Sequence, residues 1–596
     1  MHVLHAHARP PGPAPGTDST GLPAAPVQSV GVTRAAIRKR WCNGVACVSE
    51  TRFALAMSLV WTLVYNVPFW RQTVLAMWHA TAGSIAFLAS LFMLVVCLQA
   101  TLLLIMPTVV LMRAAASFLF LVAAAGSYFC GAFGAILSTD MLRNVLETDP
   151  AEVGALVSGD LVLSVTALGV LPALLVWRVP LCRINWARRI KQRAVFAAGA
   201  VLICVGGLFA CSANYAVFFR GHKPIRFTLV PAAPVSSMAA LLSHSHLGNA
   251  HAPLLDRAGR AVRVAAATTH PLVMLIVVGE TARALNFQLG GYYRATTPEL
   301  QSTENVVYLG PASSCGTSTA WSVPCMFSHQ GRQGFDADTA RQYTNVLDAL
   351  VQAGFDVEWR DNNSGCKGVC ARVKYTSYSD RRDGRFCPRS FCYDEVMLTD
   401  LGTRLRAVTR DTVIVLHQIG SHGPAYAERY PPEFERFKPA CHSNDLQRCT
   451  DEEIVNAYDN TIAYTDHVLA QLIALLRETA DKADAMLIYV SDHGESLGEQ
   501  GLYLHGMPYA LAPRVQKEVP MLLWTSKAYD ARVGMHSGCV QRRAQRNPSH
   551  DNLYHTILGA AGVSNQVYDR KLDLLAGCTS DSRLARVKAT SAPYGT

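Results

Sequence analysis

The sequence predicts two folds in one chain: an α-helical membrane domain of five transmembrane helices, then an α/β domain with a largely parallel sheet outside the membrane. Three observations carry this. Long apolar runs fill the first ~220 residues. Short β-rich runs alternating with helix-like segments follow from about residue 271. Four closely spaced cysteine pairs lie beyond residue 310.

Five runs approach or exceed the ~20 apolar residues that a helix needs to cross a bilayer. They are Phe53–Phe69, Ala82–Met106, Ala114–Gly134, Leu161–Trp177 and Ala194–Phe219. The 596-residue chain is half hydrophobic and only 16% charged, which suits a protein that is part membrane and part globular. Its net charge of +10 sits largely beside the apolar runs, at Arg34, Arg38, Lys39 and Arg40 and again between Arg178 and Arg193. Such charges set membrane orientation. No basic helix with interleaved aromatics stands out, so nucleic acid is not an expected partner. The loop between the third and fourth spans is acidic, with Asp140, Glu147, Asp149, Glu152 and Asp160. A cytoplasmic start and five spans put everything after Phe219 on the outer side.

The segmentation is then a disordered Pro/Ala/Gly/Ser-rich tail over 1–35, a membrane domain over 36–220 and a connector over 221–270. A catalytic domain over 271–575 and a tail over 576–596 complete it. Strands are expected at Leu272–Val278, Thr412–Leu416, Met486–Val490 and Val519–Trp524, with a helix near Asn456–Thr479. Ten of the 17 cysteines lie beyond residue 310. The short loops Cys315–Cys325, Cys366–Cys370, Cys387–Cys392 and Cys441–Cys449 are easily closed by disulfides in an oxidising compartment, independent support for an outer location. Thiolate zinc ligands are the rival reading, but CxxxC and CxxxxC match their usual spacing poorly.

Active sites of such sheets gather at the carboxyl ends of strands. LVMLIVVGET puts Glu280 there, MLIYVSDHGES puts Asp492 and His493 there, and TVIVLHQIGSHGP adds His417 and His422. Carboxylates and imidazoles converging from separate strands are what a zinc site uses. A lone DHG would read as a strand-to-turn signal with Asp capping a helix; Glu280 and His422, placed alike, shift the balance to a metal. His505, in YLHGMP, would alone read as an ordinary histidine. SSCGTSTAWSVPCMF is a run of small hydroxyl residues between two cysteines, a rigid loop leading into a helix whose amides favour an anion. Spacing does not choose among Thr317, Ser318 and Thr319 as nucleophile, and a Ser/Thr helix cap is the bland alternative.

The ordered set VVGETAR, CGTSTAWSVPCMFS, WRDNNSGCKGVC, LHQIGSHGPAY, NAYDNT and YVSDHGESLGEQGLYLHGMP resembles the lipid A phosphoethanolamine transferases, including the mobile colistin-resistance enzymes. These belong to the alkaline phosphatase superfamily, so the resemblance implies an outer domain of alkaline phosphatase/sulfatase type. It implies Glu280, Thr319, Asp492 and His493 as ligands of one firmly bound zinc, with further zinc possible, and Thr319 as nucleophile. It implies Lys367, His422 and His505 near the transferred phosphoryl group, with His417 a weaker candidate, and Asn363 and Ser364 as substrate-contacting neighbours of Lys367. In the membrane half, MLRNVLETDPAE resembles a segment lining the donor-lipid site, offering Asn144, Thr148 and Glu152. At i, i+4 and i+8 these share one helical face; a solvated face is the bland reading.

The expected enzyme is a zinc-dependent transferase of the bacterial inner membrane, monomeric, with its catalytic domain in the periplasm. It would move phosphoethanolamine from phosphatidylethanolamine to a lipid A phosphate through Thr319. Inner-core sugars or periplasmic glucans are the alternative acceptors. A sulfatase would want a Cys or Ser formylglycine site, which CGTSTA does not offer, and a transporter would want ionisable residues in its spans.

Overall fold

The computed structural model describes residues 47–579 except 80, 148–149, 183, 246–253, 265–269, 380, 382, 389–390, 537 and 545–546. The expected tail over 1–35, most of the tail over 576–596, and Thr148 lie outside the described residues.

Among the described residues, four single helices are long and apolar enough to span a membrane, and a bent pair passes the same test when its two halves are taken together. The bent pair is α1 (Glu50–Tyr65) and α2 (Val67–Met77), which meet at 68°. The bend has a visible cause. Asn66 donates its amide to the Trp61 and Val230 carbonyls and accepts from the Val230 N–H, so it bonds outside the helical ladder. Pro68 then opens the next helix, where its missing N–H costs nothing. Helix α3 (Ala82–Leu104) and α4 (Val109–Ala132) follow. Next come the short helices α5 (Thr139–Glu147) and α6 (Pro150–Leu156), and then the spans α7 (Gly159–Val176) and α8 (Trp186–Ala210).

Two boundaries differ from the sequence expectation. Helix α8 begins at Trp186, capped by the Asn185 side chain, and so carries Arg188, Arg189, Lys191 and Arg193 on its first turns. Arg189 and Arg193 reach the buried carboxylate of Glu50 at 2.8 and 2.7 Å. The expected connector is partly built into the bundle: Val230 is fully buried, and α9 (Ala232–Ser245) packs on α5. A disulfide that spacing did not suggest, Cys47–Cys182, closes the same end of the bundle.

The outer domain is a seven-stranded sheet. Its strands are β1 (Leu272–Gly279), β2 (Val306–Ser313), β3 (Asp356–Asp361), β4 (Lys374–Ser377), β5 (Thr412–His417), β6 (Asp484–Ser491) and β7 (Glu518–Thr525), in the order β2-β7-β6-β1-β5-β3-β4. Strands β6, β1, β5, β3 and β4 are mutually parallel, while β7 runs antiparallel to both neighbours. Val519–Trp524 is therefore a strand as expected, but a reversed one.

All eight residues of β1 are buried. Met274, Ile276 and Val278 face one core together with Leu553 and Ile557 of a helix at Asp551–Ala561. Val273, Leu275 and Val277 face a second core, against Leu469 and Leu472 of the long helix Asp451–Arg477. A strand covered on both faces reads as a continuous apolar run, as this one does. The long helix starts at a capping box, Thr450 with Glu453. Disulfides join the four expected pairs and also Cys539–Cys578.

The outer domain rests on the ends of the spans. Tyr503 donates to the Phe133 carbonyl just past α4 at 3.0 Å. Arg143 of α5 pairs with Asp338 at 2.5 Å, and Arg448 with Asp160 of α7 at 2.8 Å.

Candidate active site

Strands β1 and β6 are parallel neighbours with Gly279 opposite Ser491, so the residues that follow them, Glu280 and Asp492, emerge side by side. Both are fully buried, as is His493. Glu280 Oε2 accepts from the Asn363 amide at 2.8 Å and from Thr319 Oγ1 at 3.0 Å. Asp492 Oδ1 accepts from the Thr281 and His493 N–H groups at 3.2 and 2.7 Å. The other oxygens, Glu280 Oε1 and Asp492 Oδ2, have no hydrogen-bond partner among the described residues.

His493 Nδ1 lies 3.0 Å from the Gly494 carbonyl, which can only accept, so Nδ1 carries the proton and Nε2 a lone pair. That lone pair faces Glu280 Oε1 at 3.4 Å, Asp492 Oδ2 at 3.3 Å and Thr319 Oγ1 at 3.3 Å. A metal-ligating histidine is held in this way, its second ring nitrogen donating to a carbonyl.

Burial pushes Asp492 up to about 6 and His493 down to about 4, outweighing the neighbouring charges and hydrogen bonds that favour their ionised forms. Two buried carboxylate oxygens without donors, an imidazole lone pair and a hydroxyl, converging at one point, fit a zinc ion, which takes N and O donors tetrahedrally. The potential ligand atoms of Glu280, Asp492 and His493 all lie within 4.8 Å of one another.

The three hydroxyls that spacing left open are distinguished by their contacts. Thr317 Oγ1 donates to the Met507 carbonyl at 2.5 Å and is thereby engaged. Ser318 is the residue before the helix Thr319–Met326, and its side chain makes no cap bond. Thr319 opens the helix and brings its hydroxyl to the ligands. The loop is tied down by Gly316 N–H on Ser322 Oγ at 2.9 Å, Gly506 N–H on the Thr317 carbonyl at 2.8 Å, and the Cys315–Cys325 disulfide.

The His505 ring lies tilted by 42° against His493 with ring centroids 4.3 Å apart, and His422 meets His505 edge-on at 5.3 Å. Nδ1 of His505 lies 3.4 Å from Glu495, a buried carboxyl that burial pushes up to about 8. The loop bearing His422 is pressed on the Glu280 backbone. Gly420 has φ +51°, and a Cβ there would stand 2.7 Å from the Glu280 carbonyl oxygen, so only glycine fits without a shift. His417 lies on a different wall, its Nδ1 3.1 Å from Asp361. Burial opposes its charge, but Asp361, Glu280 and Asp492 together outweigh burial and hold the imidazole above its ordinary pKa.

Other expected residues have different surroundings. The Asn363 amide donates to Glu280 and to the Gln418 carbonyl, so it orients a ligand. Lys367 donates to the Ser364 and Glu147 carbonyls at 3.0 and 3.2 Å, bridging to the end of α5. Asn144 and Glu152 belong to two helices: α5 ends at Glu147, and Pro150 starts α6. Asn144 lines an apolar cavity of about 310 Å³. Phe133, Ile136 and Met141 bound it from the membrane half, and His422 and His505 from the outer domain.

Two buried residues went unread in the sequence. Asp394 accepts from Asn362 and from the Ile419 and Gly420 N–H groups, and burial pushes it up to about 6. His550 lies between Cys315 and Ser491. Neither stands in a motif. Glu495 does, three residues after Asp492, and was open to being read there.

Residues 93–246 match a family model described as phosphoethanolamine transferase EptA/EptB, and residues 273–563 match a sulfatase family model. The chain is 40% identical over 479 residues to phosphoethanolamine transferase EptA of Escherichia coli strain K12, covering 78% of this chain and 85% of that one. It is 38% identical over 463 residues to phosphatidylethanolamine transferase Mcr-1 of Escherichia coli, covering 76% and 84%. Among solved structures, integral membrane lipooligosaccharide phosphoethanolamine transferase A (EptA) from Neisseria meningitidis matches with a TM-score of 0.86 at 35% identity. That match covers 90% of this chain and 100% of that chain.

Proposed function

The chain belongs to the phosphoethanolamine transferases of EptA and Mcr type, and on that premise we propose that it moves phosphoethanolamine from phosphatidylethanolamine to a lipid A phosphate, with Thr319 as the covalent carrier. It works at the inner membrane with its catalytic domain in the periplasm. The observation that supports this best is the Thr319 hydroxyl, 3.0 Å from Glu280 Oε2 and 3.3 Å from His493 Nε2. Beside it lies an apolar cavity bounded partly by membrane helices, suited to a lipid.

Glu280, Asp492, His493 and Thr319 would hold zinc, which when bound supplies the Lewis acidity that lowers the hydroxyl's pKa and screens phosphoryl charge. Thr319 Oγ forms a bond to the donor's phosphorus as the bond from phosphorus to the glycerol oxygen breaks. Diacylglycerol leaves as the neutral alcohol. His422 and His505 take the proton that Thr319 gives up and return it to that oxygen. A lipid A phosphate oxygen then attacks the same phosphorus, the proton of its P–OH passes through His422 and His505 to Thr319 Oγ as the Thr319 Oγ–P bond breaks, and the threonine hydroxyl is restored. Lys367 and the amides at the start of the Thr319 helix offset negative charge. The added ammonium masks lipid A charge, so polymyxin and other cationic peptides bind the surface less.

Mass spectra of lipid A from cells expressing the chain test the acceptor: an added phosphoethanolamine is expected, absent with Thr319→Ala. Unmodified lipid A beside modified core sugars or glucans would overturn it. Incubation with phosphatidylethanolamine alone should leave one phosphoethanolamine on Thr319.

A further inference from the structure

The reactive threonine and the Asp492–His493 pair sit on strands that are not neighbours. Strand β2 leads to the threonine loop and β6 ends at Ser491, with β7 between them. Their ends are nevertheless joined directly, by one side chain. His550 is 1% exposed. Its N–H donates to the Ser313 carbonyl at 2.9 Å, where residues 548–550 run beside the end of β2. The ring Nδ1 lies 3.0 Å from the Cys315 N–H, which can only donate, and Nε2 lies 2.9 Å from the Ser491 carbonyl, which can only accept. The imidazole is therefore neutral with its proton on Nε2, and burial, which pushes it down to about 4, keeps it so.

Ser491 is a junction in turn. Its hydroxyl donates to the His493 carbonyl at 3.0 Å and accepts from the Ala282 N–H at 2.8 Å, two residues past Glu280. One ring thus links the start of the threonine loop to the residue on which the Glu280 segment and the Asp492–His493 segment meet.

We propose that His550 is a positioning residue, whose imidazole bridge between Cys315 and Ser491 sets the separation of the Thr319 oxygen from Glu280, Asp492 and His493. It touches no substrate, so it governs kcat and leaves donor KM alone. The proposal rests on Thr319 being the reacting group.

The test is steady-state release of diacylglycerol from phosphatidylethanolamine, with lipid A present in excess as acceptor, in mixed micelles by the full-length, zinc-loaded protein. It is run with His550→Ala, with His550→Asn (whose amide oxygen can replace Nδ1) and with His550→Gln (whose amide nitrogen can replace Nε2). A displacement near 1 Å at a reacting atom costs on the order of 100-fold in rate. The alanine variant should therefore lose kcat by about that factor with KM within about twofold, and each amide variant should recover part of the loss. Melting temperature is read alongside. Unchanged kcat, a loss confined to KM, or a loss that simply follows melting temperature across the three variants overturns the proposal. If wild-type protein releases diacylglycerol with no phosphoethanolamine on Thr319, the threonine reading falls and this inference with it. If Thr319 is labelled and the variants keep kcat, only this inference falls.

Discussion

Helix α8 and strand β1 are both built from apolar residues and do opposite things with them. In α8 only Ala200 is buried, and Phe209 and Leu202 are 85% and 75% exposed. In β1 every residue is buried. The contrast shows two solvents at work. Lipid accepts an apolar surface that water would drive inward, so the membrane half can leave large side chains such as Phe209 outside. The outer domain must enclose its own, and in doing so it also encloses polar groups such as Asp394 and His550, to which it supplies hydrogen bonds. The cysteines divide similarly: the four free ones among the described residues, Cys97, Cys130, Cys204 and Cys211, all lie in the membrane half, and five of the six disulfides lie outside it.

The largest expected difference between the halves is catalytic. Thr319→Ala should abolish transfer while moving the melting temperature by no more than about 2 °C. Thr73→Ala removes a hydroxyl that bonds only within its own helix, to Phe69, and should leave turnover intact. Equal effects in the two assays would break the comparison. Stripping divalent metal with a chelator should stop turnover and added zinc should restore it, while far-ultraviolet dichroism of the helices stays constant; turnover that persists in chelator rules out the metal reading.

Next in size is packing. Ile276→Ala in β1 should destabilise the outer domain by about 2–5 kcal/mol, whereas Ile203→Ala on the exposed side of α8 should change stability by less than about 0.5 kcal/mol. Denaturant melts of the purified protein read both. The smallest contrast lies among the disulfides. Loss of Cys539–Cys578, which closes 39 residues, should cost about 2 kcal/mol more than loss of Cys366–Cys370, which closes 4, and paired serine variants measure the difference.

What the sequence made legible was local. Continuous apolar runs marked β1, β5, β6 and β7, and Glu280 and Asp492-His493 were visible because each directly follows its strand. The direction of β7 was not legible, since periodicity carries no sense of direction. Thr319 could not be told from Thr317 by spacing, and motif resemblance chose it. What distinguishes the two physically is a bond from Thr317 to Met507, 190 residues away. His550, Asp394 and Cys47–Cys182 were missed for the same reason: each acts across a long sequence separation and leaves no periodic trace nearby. The bend in the first span is different, because Asn66 and Pro68 stand in plain view and a continuous span was read through them.

The seat of the outer domain on the span ends has one more consequence. Arg143 with Asp338, Arg448 with Asp160 and the Tyr503–Phe133 bond tie the domain that carries Thr319 to the ends of the apolar helices. If Thr319 is the carrier proposed above, it works as a depth gauge: a phosphate reaches it only if its own anchor floats it to the same level. Choice of acceptor would then depend on how deep a molecule sits as well as on its chemistry, and the search for it would be a walk in a plane.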